Sequence, residues 1–452
     1  MTPASRWRPL LDPPLREQAL GAVREIADAL RDPPPAPILD EMSPEGAAAR
    51  NLGLLTGRTG IAVFFGYLAK AGLVHDAEEL ARRFLEEAEA GLAEHPMGPS
   101  LCEGFTGIAW ANAHLHQCLF GERYRGELKE IDDALISLLS RWPWPEQFDL
   151  LYGLVGIGVY ALERLPRRSA KTMARLVVER LADCAEEPDG LAAWPTPPGE
   201  RAFRPDGEFN LGLAHGAPGV IGFLGRAAAA GIAPRTTVPL LQKATTWLLA
   251  RRLPAGRGTA YPGYCERTGV PGPPVRTAWC YGDPGVASGL LAAARGAENG
   301  GWRAEAIRIA SGAARRPLEE TRVVDAGLCH GSAGLGQIFN RLWQATGDPV
   351  MHDAAVGWFR RTLDFHRPGH GIGGFVAVTG PSISELREVA DPGVLTGTAG
   401  IALALLAATT PIAPEWDRVL LVSIPSPPPG SGRLGKAHRP RKPRGKAAGA
   451  GR

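Results

Sequence analysis

Two short stretches of this chain carry residue types suited to metal chemistry. Gly327-Leu328-Cys329-His330-Gly331-Ser332-Ala333-Gly334 places a thiol and an imidazole side by side, just ahead of a Gly-x-x-Gly turn. Ala278-Trp279-Cys280-Tyr281-Gly282-Asp283-Pro284-Gly285 sets another thiol at the same distance from its own Gly-x-x-Gly. Two cysteines and a histidine in matching positions suit Zn²⁺, a borderline-soft ion that takes thiolate and imidazole. Three protein ligands, rather than four, leave a coordination position open for chemistry. Cys280, Cys329 and His330 are the candidate ligands.

Something must hold these two stretches in the same orientation, and an internal repeat supplies it. A Gly-x-x-Gly turn leading into an apolar stretch recurs at seven spaced positions, Gly57, Gly104, Gly153, Gly216, Gly282, Gly331 and Gly397. The successive intervals are 47, 49, 63, 66, 49 and 66 residues, a repeat with insertions. Such a period points to stacked supersecondary units. Each turn is followed by an apolar, small-residue stretch of helical character. Longer amphipathic helices are expected between them, at Asp76–His95, Gly126–Arg141, Ser169–Cys184, Val238–Arg252 and Trp302–Arg315. Pro218 and Pro284 fall where a helix begins.

Strand-like alternation is scarce, so the fold class is all-α. Seven inner helices backed by seven outer ones account for the pattern. An open solenoid needs polar end caps, yet the first and last repeats are as apolar as the middle ones. A closed α/α toroid follows, with insertions such as Pro188–Asn210 and Pro254–Val275 as loops at one rim. Residues 1–424 are read as this one domain, and residues 425–452 as a disordered basic tail.

In a closed ring, residues at the same step from each first glycine share one end. Two residues before it stand Leu55, Cys102, Leu151, Ala214, Cys280, Cys329 and Leu395; one before it stand Thr56, Glu103, Tyr152, His215, Tyr281, His330 and Thr396. The polar and metal-binding types gather in three consecutive repeats, so Cys280, Cys329, His330, His215 and Tyr281 should converge. Cys102 shares the register but lies three steps from Cys280, which argues against ligation. Cys118, Cys184 and Cys265 read as small buried hydrophobes. The other histidines, His114 among them, read as surface or packing residues.

Composition narrows the classes. At 44% hydrophobic and 21% charged, with no apolar run of membrane-spanning length, the chain reads as globular and soluble. Six cysteines in 452 residues do not make a disulfide framework. The start lacks a signal-peptide core. The cytoplasm is the expected compartment, with a peripheral position at the inner membrane face as the alternative. Eight Lys and Arg and no acid fall in residues 425–452, more than the whole net charge of +3, so the preceding body is acidic on balance. No nucleic acid is expected as a partner, and the tail reads as a solvated extension.

The combination of Trp279-Cys280-Tyr281-Gly282, Cys329-His330-Gly331 and Ala214-His215-Gly216 within seven Gly-x-x-Gly repeats resembles the lanthionine synthetase C-like family. The resemblance spans about Asn51 to Ala407. It implies an α/α toroid with a Cys-Cys-His zinc site. With no kinase or dehydratase segment before the repeats, it implies a stand-alone cyclase of class I lanthipeptide biosynthesis. Such an enzyme adds cysteine thiols of a dehydrated precursor peptide to dehydroalanine or dehydrobutyrine, forming lanthionine or methyllanthionine rings. It also implies roles residue by residue: Cys280, Cys329 and His330 as zinc ligands, His215 as acid/base, Asp149 as its supporting carboxylate, Arg276 and Tyr281 as polar active-site residues. A dehydratase and a transporter are the partners it suggests.

Two other classes fit parts of the pattern. A protein prenyltransferase subunit is also a zinc toroid, but its ligand set includes an Asp and it needs a basic diphosphate site, which the sequence lacks. A non-catalytic member of the same family would keep zinc to bind the thiol of glutathione or of a peptide.

Overall fold

The first glycine of each repeat sits immediately before a helix in the computed structural model, which describes residues 7–38, 42–120, 128–196, 203–380 and 385–424. In chain order the helices are α1 (Pro13–Ala29), α2 (Pro44–Leu52), α3 (Arg58–Ala71), α4 (Ala77–Glu94) and α5 (Phe105–Leu115). Next come α6 (Leu128–Leu139), α7 (Leu154–Glu163), α8 (Arg168–Cys184), α9 (Ala217–Ala229), α10 (Pro234–Leu249) and α11 (Asp283–Gly296). The last are α12 (Gly300–Ala314), α13 (Leu318–Thr321), α14 (Ser332–Thr346), α15 (Pro349–Asp364) and α16 (Thr398–Thr409).

The helices that follow the seven glycines are α3, α5, α7, α9, α11, α14 and α16. Each packs on the next, and α16 packs back on α3, so the ring closes. A side chain at either glycine of a pair would collide with its own preceding turn, as at Gly331 against Gly327 and Gly334 against Leu328. Gly282 also has φ +144°, which residues with a Cβ rarely adopt.

The inner helices are apolar nearly all round because they are enclosed on all sides; every residue of α16 is buried. The outer helices are amphipathic. In α4 the buried residues Ala77, Leu80, Ala81, Phe84, Leu85 and Ala88 recur at three- and four-residue steps, and the charged residues face away. Helices α4, α6, α8, α10, α12 and α15 back the first six inner helices in order. The seventh outer helix is α1, which packs on α16. The two ends of the chain therefore complete one repeat. The expected α/α toroid is the observed fold.

Three features differ from expectation. Helix α10 begins at Pro234 rather than Val238 and carries Pro239 within it. Pro234 suits the first turn, where a missing N–H costs nothing. The rim insertions are not loops alone. β1 (Pro195–Thr196), β2 (Glu208–Asn210) and β3 (Tyr264–Glu266) form an antiparallel sheet that joins the two expected loops. A second hairpin pairs β4 (Ala377–Thr379) with β5 (Arg387–Val389).

After α16 the chain turns back into the ring. Trp416, Val419, Leu420, Leu421 and Val422 are buried. Asp417 is fully enclosed and accepts from Arg341 Nε at 2.7 Å, Arg341 Nη2 at 2.8 Å and Gln337 Nε2 at 2.7 Å, both on α14. Arg226 of α9 donates to the Ser423 hydroxyl and carbonyl at 2.8 and 2.9 Å. The basic stretch 425–452 lies outside the described residues. No helix among the described residues is long and apolar enough to cross a membrane.

Candidate metal centre

The shared register two residues before each glycine takes the physical form of a belt of backbone hydrogen bonds. Leu55 N–H donates to the Cys102 carbonyl (3.1 Å), Cys102 to Leu151 (3.0 Å), Leu150 to Ala214 (3.2 Å) and Ala214 to Cys280 (3.5 Å). Cys280 donates to Cys329 (3.2 Å), Cys329 to Leu395 (2.8 Å), and Leu395 back to Leu55 (2.8 Å). Insertions between repeats do not disturb this end, because each turn is pinned to the next. Cys280 and Cys329 are direct neighbours on the belt. Cys102 is buried between Leu55 and Leu151, away from them.

The belt brings two thiols and an imidazole to one point. The ligand atoms of Cys280, Cys329 and His330 all lie within 4.8 Å of one another. That donor set fits Zn²⁺, whose bonds to sulfur and nitrogen of about 2.3 and 2.0 Å place tetrahedral ligand atoms at such separations. Behind His330, the Oδ2 of buried Asp325 lies 3.9 Å from Nε2. Asp325 is itself fixed, accepting from the Gly327 N–H at 3.2 Å and the Val378 N–H of β4 at 3.0 Å. At that separation Asp325 acts on the imidazole through its charge rather than through a hydrogen bond.

The electrostatics favour a thiolate here. A hydrogen bond from Cys329 holds the Cys280 thiol well below its ordinary pKa against the opposing effect of burial, aided by His330 and the charge of Arg276. The same contact with Cys280 pushes the Cys329 thiol well up, and burial adds to it. Burial disfavours the His330 cation, but Cys280 and then Asp325 outweigh it and raise its pKa. Arg276, half-buried, acts on all three groups through its charge.

His215 stands one residue beyond Ala214, whose amide bonds to Cys280, so the belt sets it beside the cluster. Its Nδ1 lies 2.5 Å from Asp149 Oδ2. The other oxygen of Asp149 accepts the Tyr152 N–H at 2.7 Å, which locks the carboxylate into its own repeat turn. The imidazole stacks on Tyr152 at 6.0 Å between centroids and faces Tyr281 at 6.3 Å. With a side chain 24% exposed, His215 is open to the mouth of the ring while Asp149 is not. Tyr281 accepts from Asn210 Nδ2 at 3.1 Å. Burial, with Cys280 and Asp149 adding to it, pushes its hydroxyl far up, so it stays neutral.

Asp325, Asn210 and Tyr152 were not singled out from sequence. The signal for the first two is an Asx-x-Gly step six residues before the repeat glycine. Asn210, Asp325 and Asp391 cap the amides of Gly212, Gly327 and Gly393 there, at 2.9, 3.2 and 2.7 Å.

A model of lanthionine synthetase C-like proteins matches residues 48–421, more than four-fifths of the chain. The chain belongs to the lanthionine synthetase C-like family. Among solved structures, 18 chains match. One, described as nisin cyclase, is 21% identical with a TM-score of 0.65, covering 82% of this chain and 92% of its own. That likeness extends the family's toroid to this chain. No curated protein matches.

Proposed function

We propose that this member of the family is a zinc-dependent lanthipeptide cyclase. The observation that carries the reading is the adjacency, on one hydrogen-bonded belt, of a Cys280–Cys329–His330 cluster and a carboxylate-oriented histidine. Zinc held by Cys280, Cys329 and His330 would supply deprotonation of an incoming cysteine thiol at neutral pH, where a free thiol of pKa about 8.5 is mostly protonated.

The chain's own residues account for the remainder. As the substrate sulfur bonds to the β-carbon of a dehydro residue, negative charge moves onto that residue's carbonyl oxygen. Arg276 offers the compensating charge and Tyr281 a neutral hydroxyl donor. His215 delivers the proton to the α-carbon through Nε2, while Asp149 holds Nδ1 and so fixes the tautomer. The S–H bond adds across C=C, so a thiol disappears and the mass is unchanged. A dehydrated precursor peptide is the substrate, and a dehydratase would make it. The catalytic unit is proposed to be residues 1–424, acting in the cytoplasm, with the basic tail outside it.

The test is to incubate the purified full chain with a dehydrated, cysteine-containing peptide and follow free thiols and mass together. Loss of thiol at constant mass supports the cyclase. Tight binding of the peptide with no thiol loss would instead identify a thiol-binding member.

A further inference from the structure

A second cluster of titratable groups lies away from the belt, at the other end of the ring, where inner helices α5 and α7 finish. His114 is on the last turn of α5. Cys118 follows it in a π-helical turn, His116–Phe120, and Glu163 is the last residue of α7. At about 1.5 Å per residue, these ten- and eleven-residue helices put the cluster roughly 15 Å below the belt.

We propose that His114, Cys118 and Glu163 form a second divalent-metal site, for an ion of the borderline-soft class typified by Zn²⁺. Their ligand atoms all lie within 4.8 Å of one another. Cys118 Sγ is 3.9 Å from His114 Nδ1, and Glu163 Oε1 is 2.8 Å from the same nitrogen. Sulfur and carboxylate thus converge on one ring nitrogen. A thiol–imidazole–carboxylate relay needs them on opposite nitrogens, and here the opposite one, Nε2, is 2.9 Å from the Tyr67 hydroxyl. The arrangement is therefore that of ligands round a point rather than a proton relay.

The surroundings match what a metal site requires. With no ion bound, burial disfavours the His114 cation, but Glu163 beside Nδ1 outweighs it and raises the pKa to about 9. A bound ion would displace that Nδ1 proton, with Nε2–H kept on Tyr67 in the outer-partner pattern of ligating histidines. Stacking of the imidazole on Trp110, centroids 4.6 Å apart, holds the ring plane. Arg418 Nη1 lies 3.3 and 3.5 Å from the two oxygens of Glu163, and Glu415 offsets its charge. A dication with one thiolate, one carboxylate and one neutral imidazole carries no net charge. That matters because the His114 and Glu163 side chains are only 0% and 3% exposed, and uncompensated charge there would be costly. Cys118 is half-buried and gives access from solvent. Tetrahedral N and O ligands sit about 3.3 Å apart, so the present N–O separation needs to open by a few tenths of an ångström. The π-turn that carries Cys118 is a local departure from α geometry of the kind that gathers at functional sites.

This site stands apart from the proposed cyclase centre, and its test counts metal by difference. Full chain is equilibrated with Zn²⁺, passed through gel filtration and analysed for zinc, alongside Cys118→Ala and Glu163→Gln. The expected result is one zinc per chain fewer in Cys118→Ala and at least about ten-fold weaker retention of that zinc in Glu163→Gln. A second measurement uses Co²⁺ with Cys280→Ala/Cys329→Ala protein, in which a sulfur-to-cobalt absorption band should persist and should vanish when Cys118→Ala is added. Equal zinc in the wild type and Cys118→Ala, or a cobalt band indifferent to Cys118, would overturn the second site whatever happens at the first.

Discussion

The amide of Cys280 donates to the carbonyl of Cys329 at 3.2 Å, so the main chain itself sets the spacing of the two thiols. Preorganisation of this sort leaves little for a metal to rearrange. It predicts about one tightly held zinc at this centre, lost or sharply weakened in Cys280→Ala, Cys329→Ala and His330→Ala. Cys102→Ala should keep it, because its belt neighbours are Leu55 and Leu151. Zinc analysis across the four variants checks this. Full retention in Cys280→Ala, or loss in Cys102→Ala, would rule out the ligand set.

Asp325 is expected to tune the same centre through His330. Asp325→Asn keeps an acceptor for Gly327 but turns an amide donor toward the His330 and Val378 side of the group. Zinc affinity should fall about 10–100-fold, the usual effect of removing an outer partner. Competition against a chelator of known strength reads this, and unchanged affinity would mean that Asp325 serves the turn alone.

The C-terminal segment makes a stability prediction. Asp417→Ala leaves Arg341 and Gln337 without their shared acceptor in a closed interior. Removing one partner of a buried pair costs about 3–5 kcal/mol. Asp133→Ala, which breaks the exposed pair with Lys129, should leave stability nearly unchanged. Urea unfolding of both variants separates the cases; similar midpoints would show that the segment is not integral to the ring.

Deleting residues 425–452 should leave the melting temperature and zinc content unchanged, since a stretch so rich in Pro, Gly, Lys and Arg has little to bury. A melting temperature several degrees lower would place part of the tail on the ring.

The toroid was legible because its repeat is written in glycines that the turn geometry demands, and because one register recurs seven times. That register alone also assigns Cys280, Cys329, His330 and His215 to one end of the ring. Long-range closure was not legible. Nothing local in Pro13–Ala29 says that it backs α16, nearly 400 residues later, although Ala19, Ala22, Val23 and Ile26 show a helical stripe. Pairing of β2 with β3 depends on two insertions meeting across the rim. His114 was read as packing, and its contacts with Tyr67 and Glu163 exist only once three inner helices stand side by side.

In the proposed mechanism thiol activation and carbon protonation are divided between neighbouring repeats. His215→Ala tests it most directly. The variant should retain its zinc and bind the thiol peptide, yet cyclise it at least about 100-fold more slowly, the low end for losing a general acid/base. Asp149→Asn should show a smaller loss in the same direction, because the 2.5 Å contact to Nδ1 orients the ring rather than moving the final proton. The measurement is the rate of thiol disappearance on a dehydrated peptide, with zinc determined on the same samples. A zinc-replete His215→Ala protein that is at least 100-fold slower agrees with the account, whereas one cyclising at a near-normal rate contradicts it.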